Sequence, residues 1–167
     1  AWQGFARLAK ITDRKDYATG DWIVDAFSVS SPTMTPLVAG DAYAGIIQQL
    51  VLDTLATRDP ETLEWLPLIA TEWSSSSDGL TFTFVVRDGV RFADGEALEA
   101  EDVEFTFRFL MDSKIAAPRV RAYFNRIESV VASGSTVTFQ MSEPYFESFE
   151  IIAQMPILAA HFYGQFL

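Results

Sequence analysis

The sequence predicts an α+β fold with a mainly antiparallel sheet and flanking helices. Three features of residues 78–111 indicate this fold: a strand with a period of two, repeated Asp-Gly pairs, and a change to helical spacing. The apolar face of a strand over residues 80–87 consists of Leu80, Phe82, Phe84 and Val86. Such alternation is typical of a strand with one face in the core.

Asp-Gly pairs mark the turns on both sides of this strand and a third turn beyond it. They are Asp78-Gly79, Asp88-Gly89 and Asp94-Gly95, with Val90 to Phe92 between the last two. Asp-Gly is favoured where the second turn residue needs a positive φ. From Ala100 to Met111 apolar residues recur at helical intervals, and acids gather at the start, where the helix dipole favours negative charge. We therefore expect strand, hairpin and helix in succession.

Repeated Asp-Gly pairs are also found in calcium loops, so that alternative is tested by register. Placing Asp88 at the first position of a 12-residue loop puts Glu99 at the last. Val90, Phe92 and Ala93 then occupy positions that require oxygen ligands or a glycine. The pairs are interpreted as turns, and the acidic run from Asp94 to Glu104 as a solvated helix start. No metal and no cofactor are expected.

The rest of the chain yields further elements, most of them shorter. We predict strands over residues 22–29 and 63–66, a helix over 41–55 with Asp41 as its N-cap, a brief helical turn over 67–73, an irregular segment over 112–126, a hairpin of 127–132 and 136–141, and a short helix over 149–153. Residues 1–20 fit a short amphipathic helix followed by a loop.

Composition limits the classes of function. The net charge is −11, which argues against phosphate-mediated binding to nucleic acid. The absence of Cys removes disulfides, thiol catalysis and Cys-zinc sites. No apolar run reaches the roughly 18 residues that suggest a membrane span, and Arg7 and Lys10 interrupt the N-terminal apolar residues, so residues 1–20 do not resemble a signal peptide. The sequence is that of a globular domain without an obvious membrane element.

Few residues offer catalytic chemistry. His161 is the one histidine and has no Cys or acid nearby at metal-ligand spacing, so we interpret it as structural. Glu101 and Glu104 share a helix face, but acid–base catalysis needs a pair whose pKa values differ within a cleft. Residues 74–77 are a serine run without the Gly-x-Ser-x-Gly pattern of a nucleophile. The sequence therefore names no catalytic residue.

An ordered series of motifs resembles the bacterial extracellular solute-binding proteins of family five, the peptide and nickel type. The series consists of Asp59-Pro60-Glu61-Thr62, Pro67-Leu68, Trp73, residues 78–84 and 87–92, Asp94-Gly95, and residues 100–103. It departs from the family at Glu99, where a Thr usually caps the helix. The closing hairpin, Glu143-Pro144-Tyr145-Phe146 and the segment 155–163 extend the resemblance.

The resemblance implies part of lobe I of a periplasmic-binding-protein-like class II fold. It implies an N-terminal extension over residues 1–21, an N-terminal lobe over 22–167, and a remaining lobe outside this sequence. It further implies a receptor that delivers peptides, oligosaccharides or a chelated metal to the permease of an ABC importer. Such a protein is periplasmic or extracellular, and an upstream lipid anchor is the one membrane attachment implied.

The resemblance also supplies ligand-binding residues. They are Gly40, Asp41, Ala42 and Tyr43, which follow the opening segment, and Arg119, which follows Ala117-Pro118. Gly40 permits close approach to backbone, and the guanidinium of Arg119 is suited to a carboxylate. Two other interpretations stay open for these residues, a helix cap for Gly40-Asp41 and a solvated loop charge for Arg119. A secreted hydrolase or a structural interaction domain with an unrelated cleft remains the alternative function.

Overall fold

A computed structural model describes residues 42–167 of the chain. The predicted elements over 1–20 and 22–29, and the predicted ligand residues Gly40 and Asp41, lie outside these residues. Within them the chain is α+β, with antiparallel strand pairs and several helices, as the sequence predicts.

The described residues form six strands and five α-helices. In chain order they are α1 (Ala42–Val51), β1 (Ala56–Arg58), β2 (Trp65–Pro67), β3 (Ala70–Ser75), β4 (Thr81–Val86), α2 (Ala100–Met111), α3 (Pro118–Phe124), β5 (Ile127–Ser133), β6 (Thr136–Met141), α4 (Ser148–Ala153) and α5 (Ala160–Tyr163), followed by a 3-10 turn (Gly164–Phe166).

The main sheet has four antiparallel strands in the order β3-β4-β6-β5, and β1 pairs with β2 separately. In β4 the buried side chains are Phe82, Phe84 and Val86, and the intervening residues are only half-buried. This alternation confirms the predicted strand and its apolar face. The predicted hairpin after α3 is also confirmed, since β5 pairs with β6 across a Gly134 turn.

The core lies between the inner face of this sheet and α2. Phe84 of β4 and Phe139 of β6 are fully buried and meet edge to face at 5.8 Å between ring centroids. From α2, Phe109 and Val103 are buried against the sheet, and this helix packs on β5 and β6. Burial of such aromatic side chains is the main stabilising term for a domain of this size.

The Asp-Gly pairs are turns, as predicted. Gly79, Gly89 and Gly95 have φ values of +70°, +75° and +93°. The Asp78 side chain accepts the backbone N–H of Leu80 at 3.0 Å, which fixes the first of these turns. Between the second and third turns no strand forms in this part of the chain; Arg91 makes a single β-bridge with Ala97.

Several predicted elements are wrong or displaced. Residues 70–75 form a strand instead of a helical turn, because pairing with β4 satisfies their backbone groups. The segment predicted to be irregular contains α3, which begins with Pro118 at its first position, a favoured helix start. The helix predicted over 41–55 ends at Val51, and the strand predicted over 63–66 begins at Trp65 because Leu63 adopts a φ of +61°.

The acidic run is only partly the solvated helix start that the sequence suggested. Asp102 is 7% exposed, and its carboxylate accepts backbone N–H groups from both Glu99 and Ala160. Thr106, one turn later, is fully buried and accepts the N–H of Leu158 at 2.9 Å. These two side chains therefore attach the C-terminal segment to α2.

None of the helices between residues 42 and 167 combines the length and the apolar character that crossing a bilayer requires.

Candidate functional site

Arg119 is the predicted ligand residue that the structure presents most clearly. It lies in the first turn of α3 with an exposed side chain, and among residues 42–167 it makes no hydrogen bond or ion pair. The two other arginines within residues 112–126 have partners. Arg121 donates to the carbonyl oxygens of Asp112 and Ile115, and Arg126 pairs with Glu143 at 3.0 Å. Arg119 is therefore the arginine of this segment that remains available to a ligand.

Ala42 and Tyr43 lie in the first turn of α1, where Ala42 is exposed and Tyr43 is half-buried. The other two predicted residues, Gly40 and Asp41, precede the described part of the chain. Neither of two surface cavities, of about 290 Å³ and about 680 Å³, is lined by Ala42, Tyr43 or Arg119. Of the five predicted ligand residues, the three in the described part of the chain are thus not brought together in either cavity.

One cavity, of about 290 Å³, lies between α3 and α4. Its lining residues are Tyr123, Phe124, Glu147, Glu150, Ile151 and Gln154. Phe124 is buried, while Tyr123 is 63% exposed and follows Arg119 by one helical turn. The Glu147 carboxylate accepts the Tyr145 hydroxyl at 2.6 Å, and this hydrogen bond raises the pKa of Tyr145 above its ordinary value of 10.0.

These cavity residues are not among the predicted ligand residues, although two spacings in the sequence point to them. Arg119 and Tyr123 are four residues apart, which places them on one face of a helix. Positions 147, 150, 151 and 154 follow the i, i+3, i+4, i+7 pattern of a single helix face. The first spacing was missed because residues 112–126 were predicted to be irregular.

The second cavity, of about 680 Å³, is an open groove beside the start of α2. Residues 86–91, 97–101 and 134–135 line it. Its charges are mixed, because Arg87 and Arg91 face it together with Asp88, Glu99 and Glu101. Arg87 already donates to the Leu68 carbonyl and Arg91 to the Gly95 carbonyl. The groove therefore does not present charge of a single sign that would attract a charged ligand.

His161 has a structural partner, Asp94, which lies 67 residues earlier in the sequence. Its Nε2 lies 2.7 Å from the Asp94 carboxylate, and its ring contacts Phe92 edge to face. The hydrogen bond to Asp94 raises the pKa of His161 above 6.5 and lowers the pKa of Asp94 below 3.8. No group of three or more potential ligands that could hold a metal occurs within residues 42–167.

Glu104, one of the two acids considered for catalysis, also has a structural role. Its carboxylate accepts the backbone N–H of Ala132 at 2.8 Å and thereby joins α2 to the edge strand β5. Glu101 is exposed and lines the groove beside α2. The two acids do not share a catalytic arrangement.

Sequence comparison finds known proteins that are similar to this chain. Protein XP55 of Streptomyces lividans is 35% identical over 135 residues, covering 80% of this chain and 24% of that protein. Di/tripeptide-binding protein 4 of Pseudomonas aeruginosa is 36% identical over 101 residues, covering 54% of this chain and 18% of its own length. The chain thus spans about a quarter or less of the length of these relatives.

Solved structures share the fold. The ABC transporter-associated periplasmic binding protein DppA from Helicobacter pylori, in complex with the peptide STSA, aligns with a TM-score of 0.67 and 25% identity. The alignment covers 79% of this chain and 30% of that one. The periplasmic-binding-protein-like fold expected from the sequence is therefore confirmed.

The family pattern described as bacterial extracellular solute-binding proteins, family 5 Middle, matches residues 64–166, which is more than half of the chain. This family consists of transport receptors and not of enzymes. The predicted resemblance is confirmed, and the chain belongs to the bacterial extracellular solute-binding proteins of family 5.

Proposed function

We propose that this chain is part of the solute-binding component of an ABC importer, which captures a peptide or similar small solute and delivers it to a membrane permease. The observation that carries the proposal is the family match over residues 64–166. Two relatives support a peptide ligand, one described as binding di- and tripeptides and one solved with a bound peptide.

The proposed organisation follows the family. Residues 22–167 form part of the N-terminal lobe, residues 1–21 form an extension before it, and the ligand is enclosed against a remaining lobe of the same protein. The receptor works in the periplasm or outside the cell, where a lipid anchor upstream of this sequence is one means of keeping it near the permease. Enclosure between two lobes removes water from the ligand on both sides.

Within this lobe we assign ligand contacts to Gly40, Asp41, Ala42, Tyr43 and Arg119. The strongest support concerns Arg119, whose exposed guanidinium lacks a partner among residues 42–167. A guanidinium forms two parallel hydrogen bonds with a carboxylate, so it suits the C-terminus of a peptide. A single lobe provides one wall of the site, and we expect this chain alone to bind peptides far more weakly than the full-length protein.

Calorimetric titration of the full-length protein with tri-alanine and with its C-terminal amide tests both the receptor and the role of Arg119. A charge-assisted hydrogen bond contributes roughly 1.5–3 kcal/mol, so Arg119→Ala should weaken tri-alanine binding by roughly 10-fold to 100-fold. The same substitution should weaken binding of the amide much less, because the amide lacks the carboxylate. Arg119→Lys should recover part of the loss, because it restores the charge without the planar fork.

Arg108 provides the matched control. It lies in the last turn of α2, is exposed, and like Arg119 makes no hydrogen bond or ion pair among the described residues. Arg108→Ala should leave peptide binding unchanged. Equal losses in the two variants would indicate a general charge effect, and an unaffected Arg119→Ala variant would mean that the contact is misplaced.

A further inference from the structure

The cavity between α3 and α4 is not used by the ligand contacts assigned above. Its volume of about 290 Å³ lies at the lower limit of ligand pockets, which span roughly 300–1,000 Å³. A cavity of this size has room for a long side chain of a ligand. It begins one helical turn from Arg119, because Arg119 and Tyr123 occupy i and i+4 positions of α3.

The walls of the cavity are apolar at the base and polar at the rim. Phe124 is 7% exposed and Ile151 is half-buried, and both face the cavity. Tyr123 is 63% exposed and offers an aromatic surface to the cavity. Glu147 and Glu150 stand on the α4 side, one helical turn apart. Lysine and arginine side chains fit these walls, because each has an apolar stem and a charged tip.

The charges near the rim favour a cation. Glu150 is paired with Arg58 at 2.9 Å, and Arg58 also lies over the Trp65 ring at 4.5 Å. Glu147, by contrast, receives a neutral hydroxyl from Tyr145 and pairs with no basic side chain in the described part of the chain. A carboxylate has about four acceptor sites, so Glu147 can accept further hydrogen bonds.

We propose that this cavity is a subsite for a basic side chain of the peptide ligand, with Glu147 as the partner of its charge and Tyr123 as its aromatic wall. The subsite rests on the proposed function, because it presumes a peptide whose carboxylate binds Arg119. Four residues of helix rise about 6 Å, and an extended peptide advances roughly 3.3–3.6 Å per residue. The basic side chain therefore belongs to the residue one or two positions before the C-terminal carboxylate.

The test is calorimetric titration of the full-length protein with four tripeptides that differ at the central residue. These are Ala-Ala-Ala, Ala-Lys-Ala, Ala-norleucine-Ala and Ala-Glu-Ala. Norleucine has the lysine stem without its charge, so the lysine-to-norleucine ratio of dissociation constants isolates the ammonium group. We expect the lysine peptide to bind roughly 5-fold to 50-fold more tightly than the norleucine peptide, and the glutamate peptide to bind most weakly.

Two variants assign this preference to the cavity. Glu147→Gln should bring the lysine-to-norleucine ratio close to one, because the shape is kept and the charge is removed. Tyr123→Leu should weaken the lysine peptide more than the norleucine peptide, since a cation interacts with the face of an aromatic ring. Circular dichroism of each variant checks that its fold is retained.

Glu128→Gln is the control for the large net negative charge. Glu128 is exposed on β5 and has no hydrogen bond or ion pair among residues 42–167, so its removal should leave the ratio unchanged. Equal affinities of the protein for the lysine and norleucine peptides would overturn the subsite but not the proposed function. A lysine preference that persists in Glu147→Gln would do the same. Failure of all four peptides to bind would overturn the proposed peptide receptor and the subsite with it.

Discussion

The carboxylate of Asp102 accepts a hydrogen bond from the backbone N–H of Ala160 at 3.0 Å, across 58 residues of sequence. Its second oxygen accepts the N–H of Glu99 at 2.9 Å, at the start of α2. One buried acid therefore satisfies two backbone donors that would otherwise lack partners. One donor lies at the start of α2 and the other at the start of α5. The position of the C-terminal segment depends on this side chain.

Asp102→Asn should destabilise the protein. The amide keeps one acceptor oxygen but places an NH₂ group against one of the two N–H donors, which leaves a buried donor unsatisfied. We expect a loss of about 1–3 kcal/mol in the free energy of unfolding, measured by urea denaturation. Glu101→Gln, at the adjacent exposed position, is the control and should change stability by less than about 0.5 kcal/mol. Similar losses in both variants would contradict the special role of Asp102.

Phe84→Ala should be among the most destabilising single changes. Phe84 is fully buried and its ring contacts Trp73, Phe139 and Phe149, so truncation leaves a cavity in the core. A buried Phe→Ala change costs about 3–5 kcal/mol. Urea denaturation should show this loss, whereas Phe146→Ala, whose side chain is 87% exposed, should be nearly neutral. A loss below about 1 kcal/mol for Phe84→Ala would mean that the core collapses around the missing ring.

Local chemistry was enough to predict most of the fold from Asp78 to Met111, although the hairpin expected after the strand is reduced to the Arg91–Ala97 bridge. The strand, the Asp-Gly turns and α2 each carry a signal within a few residues: alternation, positive φ and helical spacing. The helix spans Ala100–Met111, the same residues that the sequence predicts. Glu99 takes the N-cap position despite lacking the usual Thr, because Asp102 reaches back to its N–H.

Elements that depend on distant partners were predicted poorly. The strand over residues 70–75 is short and polar, and it is a strand because it pairs with β4. Asp102 appeared to be one solvated acid among several, since its partner Ala160 follows 58 residues later. Tyr123, Glu147 and Glu150 lie on two helices whose approach is set by the tertiary structure. Among the predicted ligand residues, Arg119 was identified through the family motif and not through its own local pattern.

His161 and Asp94 should make the stability of the protein depend on pH. The pKa of His161 is raised, chiefly by its hydrogen bond to Asp94, so its contribution is complete below the ordinary pKa of 6.5 and is lost as the pH rises through the raised value. The pKa of Asp94 is lowered by the same bond, so its contribution is present above 3.8 and is lost as the pH falls through the lowered value. The pair therefore stabilises the fold most between these two ordinary values.

The pH dependence is tested by a double-mutant cycle on His161→Gln and Asp94→Asn, with urea denaturation at pH 5.5 and at pH 8.5. The coupling between the two side chains should be stabilising at pH 5.5, where the imidazolium faces a carboxylate, and smaller at pH 8.5, because the imidazole loses its proton as the pH rises through the raised pKa. Both groups are substantially exposed, so added salt should reduce the coupling at pH 5.5. Glu96 and Asp102 also raise the pKa of His161 through their charge, so Asp94→Asn should leave part of the shift in place. A coupling that is equal at the two pH values would show that the contact is a hydrogen bond without an ionic component.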